Sequence, residues 1–364
     1  VITAARLLIG WASVAAVFLA GGMLADLAPL PEALLFAGLL VVILWSAFGV
    51  VAEADHLAEL LHEPLGTLIL TLAIVLIEVA LISAVMLGGK DAPTLGRDTM
   101  FAVLMIVLNG IVGLGLLIGG FRHGEQRYNL QGASAYLAVI IPLSVIAFLL
   151  PNFTKSTEGG TLSSAQEIAF SIFTLMLYAI FLFVQTGRHQ AFFLDPQVQG
   201  GSMAAPDKRP AGQGAAIARH ALILVVSILP IVLLSKKLAI LLEHGLSAAN
   251  APAALGGVLI AIIVLAPEGI SALRAVSANQ LQRGINLCLG AAASTIGMTV
   301  PAVIVVSIIS DQTIVLGLPP AEMILLATTL ILCTLTFSGV RTTILEGAMH
   351  LVVFFVYLTL IFSP

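Results

Sequence analysis

The sequence predicts an all-α membrane protein of about eleven transmembrane helices, one accessory helix followed by two inverted five-helix repeats. Three observations lead to the membrane helices, and two acids at matching places, described below, lead to the repeats. Hydrophobic residues make up 60% of the chain and charged residues 9%, where a soluble domain carries about 25% charged residues. Mean hydropathy is +1.13. Apolar stretches of about 20 residues, long enough to cross a hydrocarbon core as helices, recur along the whole chain.

Taken in order, the first stretch, 4–24, is the accessory helix, and with the loop after it occupies 1–31. The next five, 32–53, 65–88, 99–120, 134–151 and 165–186, make the first repeat over 32–186. The stretch 134–151 is the shortest, and Pro142 inside it removes a backbone donor and is expected to kink it. A connection rich in Gly, Pro, Ala and Gln, 187–216, reads as a flexible linker. The second repeat, 217–364, holds 217–235, 252–274, 284–310, 320–338 and 342–362.

Ten of the fifteen Lys and Arg residues fall on one side of these spans and five on the other. The positive-inside rule then places the N-terminus in the cytoplasm of a bacterial-type inner membrane. A net charge of -4 and the lack of a basic cluster with aromatics argue against nucleic-acid binding. Cys288 and Cys333 sit in apolar stretches as small hydrophobes, outside any zinc spacing. Membrane lipid is an expected partner, and no pattern in the chain calls for a cofactor or for enzymatic turnover.

Two acids stand out inside apolar spans. Glu78 lies in Leu68–Ile82 and Glu268 in Val258–Ala272. A carboxylate at bilayer depth is costly, so it faces a water path, an ion or a partner. Gly66 precedes Glu78 by the same interval as Gly256 precedes Glu268, each after a proline, Pro64 or Pro252. Glu78 is on the third span and Glu268 on the eighth, so their helices cross in opposite directions. That is the trace of an inverted repeat, in which substrate sites form near the midplane where the halves meet. Burial favours the protonated carboxyl and a cation favours the ionised one, so cation and proton compete for the same oxygens. Such competition at an alternately exposed site suffices for antiport.

The residues around Glu268, Ala266–Gly290, followed by Ser294–Thr295 and Thr299–Pro301, resemble the second repeat of the calcium/proton exchanger branch of the calcium/cation antiporters. The likeness is nearest to its ChaA-type sodium-potassium/proton and calcium/proton antiporters. First-half matches are His62–Leu70, Ile77–Ala84, Ala92–Thr99 and Gln185–Gln190, and Arg341–His350 matches near the end. The resemblance implies eleven helices, with Glu78 and Glu268 binding cation and proton in turn, and exchange of Ca2+ and/or Na+/K+ for H+. Calcium exchangers of this group read Gly-Asn-x-x-Glu in each repeat. Here those positions are Ile74–Val75 and Val264–Leu265, which removes two amide oxygens from a hard cation that takes six to eight.

Asn109, on the span after Glu78, and Ser294 and Thr295, on the span after Glu268, could supply neutral oxygens or pack their helices. Ser271 shares the helix face of Glu268. Asn279, Gln280, Gln282 and Asn286 could line an entrance or cap helices. Glu53, Asp55, Glu59 and Glu63 read as a solvated acidic connector. Glu346 and His350, four apart on the last span, share a face and supply an alternative, an intramembrane metalloenzyme. A cation channel without proton coupling is the other alternative.

Overall fold

The computed structural model describes residues 2–21, 28–61, 65–88, 93–157, 159–187, 189–194, 213–252, 254–339 and 341–363. Among them are eleven long helices: α1 Ile2–Ala20, α2 Pro29–Leu61, α3 Leu65–Gly88, α4 Leu95–His123, α5 Leu130–Phe153, α6 Ser164–Thr186, α7 Gln213–Ala248, α8 Ala254–Ser277, α9 Leu281–Ser310, α10 Pro320–Thr336 and α11 Ile344–Phe362. Nine of these are long and apolar enough to cross a membrane, and α3 and α10 carry the shorter apolar stretches Leu72–Ser83 and Pro320–Thr336. The protein is an integral, multi-pass membrane protein.

Two elements run past their expected ends. α7 continues to Ala248 rather than stopping near 235, so Lys236 and Lys237 are helical rather than in a loop. No breaker intervenes there, and Leu238, Ala239, Leu241 and Leu242 are buried, so the apolar face carries the helix on. Asn250, at φ 50°, lies just beyond its end, in the left-handed region that Asn tolerates. α2 likewise runs to Leu61, so the acidic run from Glu53 to Glu59 is helix rather than connector; Glu63 lies outside the described residues. Of the linker, Gln190–Phe193 forms a 3-10 turn, and 195–212 lie outside the described residues.

The chain forms two compact units, each drawing on both sequence halves. The first holds α1, α2, α3, α7 and α8 as far as Pro267. Here α2 lies along α7 and α3, with α1 against α2 and α7. A β-carbon on Gly10 would lie 3.2 Å from Pro230, and one on Gly49 would lie 2.9 Å from Arg6, so glycine lets these helices approach. Glu53, 6% exposed, accepts hydrogen bonds from Thr3 Oγ1 on α1 at 3.2 Å and from His220 Nδ1 on α7 at 2.8 Å. One buried carboxylate thereby joins three helices.

The second unit holds α4, α5, α6, the end of α8 from Glu268, α9, α10 and α11. α4 is its most enclosed helix, with 72% of its apolar window buried. It meets α11 backbone to backbone: a β-carbon on Gly113 would come 3.0 Å from Gly347 O, and one on Gly347 would come 2.8 Å from Gly113 O. Small residues at such a crossing permit the close packing that drives helix association in lipid. α4 and α9 are each interrupted by a π turn, at Ile106–Ile111 and Thr295–Thr299. α5 carries Pro142 and then a π turn at Val145–Leu149, so the proline-bearing span is irregular, as its sequence leads one to expect.

At one end of this unit, Gly124 at φ 74° ends α4 and leads into β1 (Gln126–Arg127), which pairs antiparallel with β2 (Arg341–Thr342), the only strands among the described residues. Arg341 bonds Glu125 beside this pair. Tyr128 donates to the carbonyl of Gly339 and lies 3.4 Å from that of Thr336. At the other end, the segment before α10 ties two loops and the end of α5: Val315 N donates to Pro93 O (3.0 Å), Gly317 N to Gly160 O (2.9 Å) and Leu318 N to Phe148 O (3.0 Å). Arg97, itself paired with Asp98 at 2.7 Å, donates to Gly317 O at 2.8 Å.

Two outcomes are expected of this packing. Gly347→Ala forces α11 away from α4 and lowers stability by about 1–3 kcal/mol, read as an earlier unfolding midpoint in detergent. Burial, aided by the carboxylate of Glu346, pushes the Tyr128 phenol from 10.0 up to about 12. Between those values the unfolded chain ionises while the folded one does not, so stability is lost as pH rises through this window. Tyr128→Phe flattens that alkaline fall and costs about 1 kcal/mol at neutral pH, measured by unfolding across a pH series.

Candidate cation and proton site

Glu78 and Glu268 are both buried, at 3% and 9% exposure. Glu78 lies on α3 in the first unit, and Glu268 on α8 opens the second. Their helices owe their form to the apolar runs on either side of each acid. In α8, Pro267 sits immediately before the acid, and a proline within a helix frees the carbonyl one turn earlier from its usual partner. Gly269, directly after the acid, packs on α4: a β-carbon there would come 2.8 Å from Cδ1 of Ile111, the last residue of the π turn. The helix bearing Glu268 therefore rests on the irregular turn of α4.

Of the other expected residues, Ser271 is half-buried one turn beyond Glu268. Ser294 and Thr295, at 3% and 1% exposure, lie where α9 enters its π turn. Ser294 Oγ donates back to Ala291 O at 3.0 Å. Asn109, with no exposure, sits within the π turn of α4. These four and Glu268 belong to the second unit, whereas Glu78 belongs to the first. A narrow apolar crevice in the second unit, lined by Ile111, Gly115, Ala272, Ile285 and Cys288 among others, runs beside α8.

Of the entrance candidates, Asn279, Gln282 and Asn286 make side-chain hydrogen bonds. Gln126 Nε2 donates to Asn279 Oδ1 at 2.9 Å, and Gln282 Oε1 accepts from Asn129 N at 2.6 Å. Gln282 Nε2 donates to Asn286 Oδ1 at 2.8 Å, and Asn286 Nδ2 to Phe193 O at 2.7 Å. Gln282 and Asn286 fasten α9 to the start of α5 and to the 3-10 turn after α6.

Glu346 and His350 share a face, yet they serve different partners. Glu346 completes a capping box at the start of α11, accepting from Thr343 N at 2.8 Å and from the Thr343 hydroxyl. His350 is fully buried and faces α4 and α10. Its Nδ1 lies 3.0 Å from Asn109 Oδ1, and its Nε2 lies 3.0 Å from Thr336 Oγ1. Asn109 Nδ2 in turn donates to Thr329 Oγ1 at 2.8 Å. Both imidazole nitrogens are thus engaged by side chains, and no cluster of three metal-binding groups occurs among the described residues. The metal-ligand reading of this pair is not what the fold builds.

Several polar groups at this depth were not legible as candidates. Thr329 and Thr336 complete the network of His350 from another helix. Thr299, on the π turn of α9, is fully buried, with a hydroxyl that has no hydrogen-bond partner among the described residues. A polar residue in an apolar span was the one available signal, and threonine gives it weakly because its hydroxyl can bond back to its own helix.

Known proteins match this chain over nearly its whole length. The sodium/calcium exchanger protein family matches residues 32–187 and 219–363. The putative ionic transporter y4hA of Sinorhizobium fredii is 39% identical over 332 residues, 91% of this chain and 88% of that protein. The sodium-potassium/proton antiporter ChaA of Escherichia coli is 38% identical over 325 residues, 89% of this chain and 87% of that one. The native structure of YfkE superposes with a TM-score of 0.71 at 17% identity, covering 99% of this chain and 100% of that chain, which shows the shared fold. The chain belongs to the sodium/calcium exchanger protein family, a family of ion transporters rather than enzymes.

Proposed function

We propose that the protein is a secondary active antiporter that exchanges Ca2+ and/or Na+/K+ for H+ by alternating access, with cation and proton competing for the carboxylates of Glu78 and Glu268. The supporting observation is the pair of buried acids at matching places in the two sequence halves, each on an apolar helix followed by a helix with a π turn. That recurrence supports two repeats, 32–186 and 217–364, flanking the linker 187–216. The relatives named as cation/proton antiporters support proton coupling over a channel. Two carboxylates holding one divalent ion are as neutral as two protonated carboxyls, whereas one monovalent ion leaves a negative charge unless one proton stays. The amides missing at 75 and 265 weaken a calcium cage, so charge balance and donor count pull selectivity in opposite directions. Asn109, Ser271, Ser294 and Thr295 act as supporting groups, and the N-terminus faces the cytoplasm on the Lys/Arg imbalance.

Proteoliposomes enclosing a pH dye, challenged with calcium, sodium, potassium and magnesium one at a time, test this. Glu78→Gln and Glu268→Gln are each expected to reduce cation-driven proton movement to the level of empty liposomes; robust exchange in either variant overturns the assignment. Glu346→Ala separates the metalloenzyme alternative. It is expected to lose about 1 kcal/mol with its cap while exchange persists.

A further inference from the structure

The only histidine buried within an apolar helix among the described residues is His350, and its surroundings tie it to transport. Asn109 Nδ2 is directed at Thr329 Oγ1 (2.8 Å) and at Met105 Sδ (3.7 Å), both acceptors. Its Oδ1 therefore faces His350 and can only accept. His350 Nδ1 must carry the proton that bridges them, which leaves Nε2 to accept from the Thr336 hydroxyl. The chain Thr336–His350–Asn109–Thr329 so crosses from α10 through α11 into the π turn of α4 and returns to α10. All four residues are at most 3% exposed.

The turn held in this way is the one on which the helix of Glu268 rests. Asn109 and Ile111 belong to the same π turn, and Ile111 meets Gly269, the neighbour of Glu268. A π turn has one backbone carbonyl outside the regular ladder and is strained relative to an α-helix, so an external brace determines its shape. The brace is packed against the same helix: a β-carbon on Gly113 would lie 3.0 Å from His350 Cβ, and one on Gly110 would lie 3.5 Å from Phe354.

We propose that His350 is a positioning residue for exchange: by donating from Nδ1 to Asn109 it fixes the π turn of α4 and, through Ile111 and Gly269, the placement of Glu268. The inference rests on the reading that Glu268 carries the exchange. Histidine invites a discriminating substitution, because asparagine places an amide N–H near the position of imidazole Nδ1 while glutamine places one near Nε2. In the proteoliposome assay, His350→Asn is expected to keep the cation concentration for half-maximal exchange within about twofold of the unmodified protein. His350→Gln, which leaves Asn109 Oδ1 buried without its donor, is expected to raise it by about tenfold or more, the effect of one unsatisfied buried acceptor. Equal values for the two variants reduce His350 to packing and overturn the inference. Failure of the unmodified protein to exchange, or undiminished exchange by Glu268→Gln, instead overturns the function on which it rests. A measurement without substitution reads the same geometry: solid-state NMR with labelled histidine and asparagine should show a protonated Nδ1 correlated with an asparagine side-chain carbonyl. A protonated Nε2 with bare Nδ1 at that correlation overturns the proposal.

Discussion

Hydrogen-bonding groups carried into apolar helices must find their partners inside the protein, because lipid offers none. Glu53 meets this by binding helices α1 and α7 to α2. Asn109 and His350 meet it by binding α4, α10 and α11. In each case one costly polar residue becomes the point where three helices agree on their register, a degree of directionality that apolar contacts between helices do not supply. The glycine contacts of α4 with α11 then bring the backbones close enough for these short side chains to reach.

The same constraint separates what the sequence made legible from what it did not. The spans could be read because twenty apolar residues in a row have few other uses, and Glu78 and Glu268 because a charge interrupts such a run. The π turns left no mark: Ile106–Ile111, with an Asn and a Gly among apolar residues, carries nothing that separates a widened turn from an ordinary membrane helix, and its shape depends on what packs around it. α7 shows the converse failure. Apolar length alone ends this span at Ser235, although the helix is defined by its buried face, which Leu238 and Leu242 continue. A flexible lysine stem is compatible with that boundary position.

Glu346 and His350 teach a related point about spacing. Four residues apart they share a face, yet α11 begins at Ile344, so the acid belongs to a helix terminus and the histidine to the interior. Depth within the helix, rather than the interval between them, separates their chemistry. Glu53 likewise belongs, by proximity along the chain, to an acidic run that reads as solvated, although it is enclosed by α1 and α7. Its partners Thr3 and His220 lie on other spans, and nothing local announces them.

Apart from Met105 Sδ on its own helix, the partners of Asn109 lie 220 and 241 residues further along the chain. At about 5–20 residues per second of synthesis, α4 waits roughly ten to fifty seconds with a primary amide among apolar side chains before α10 and α11 emerge. For that interval the nascent protein depends on whatever can satisfy the amide meanwhile, whether residual water at the insertion machinery, a neighbouring helix in a temporary pairing, or a helper protein. α11 is thus the helix that makes α4 permanently at home in lipid, and quality control that senses exposed polar groups in the membrane has a natural moment at which to inspect this chain.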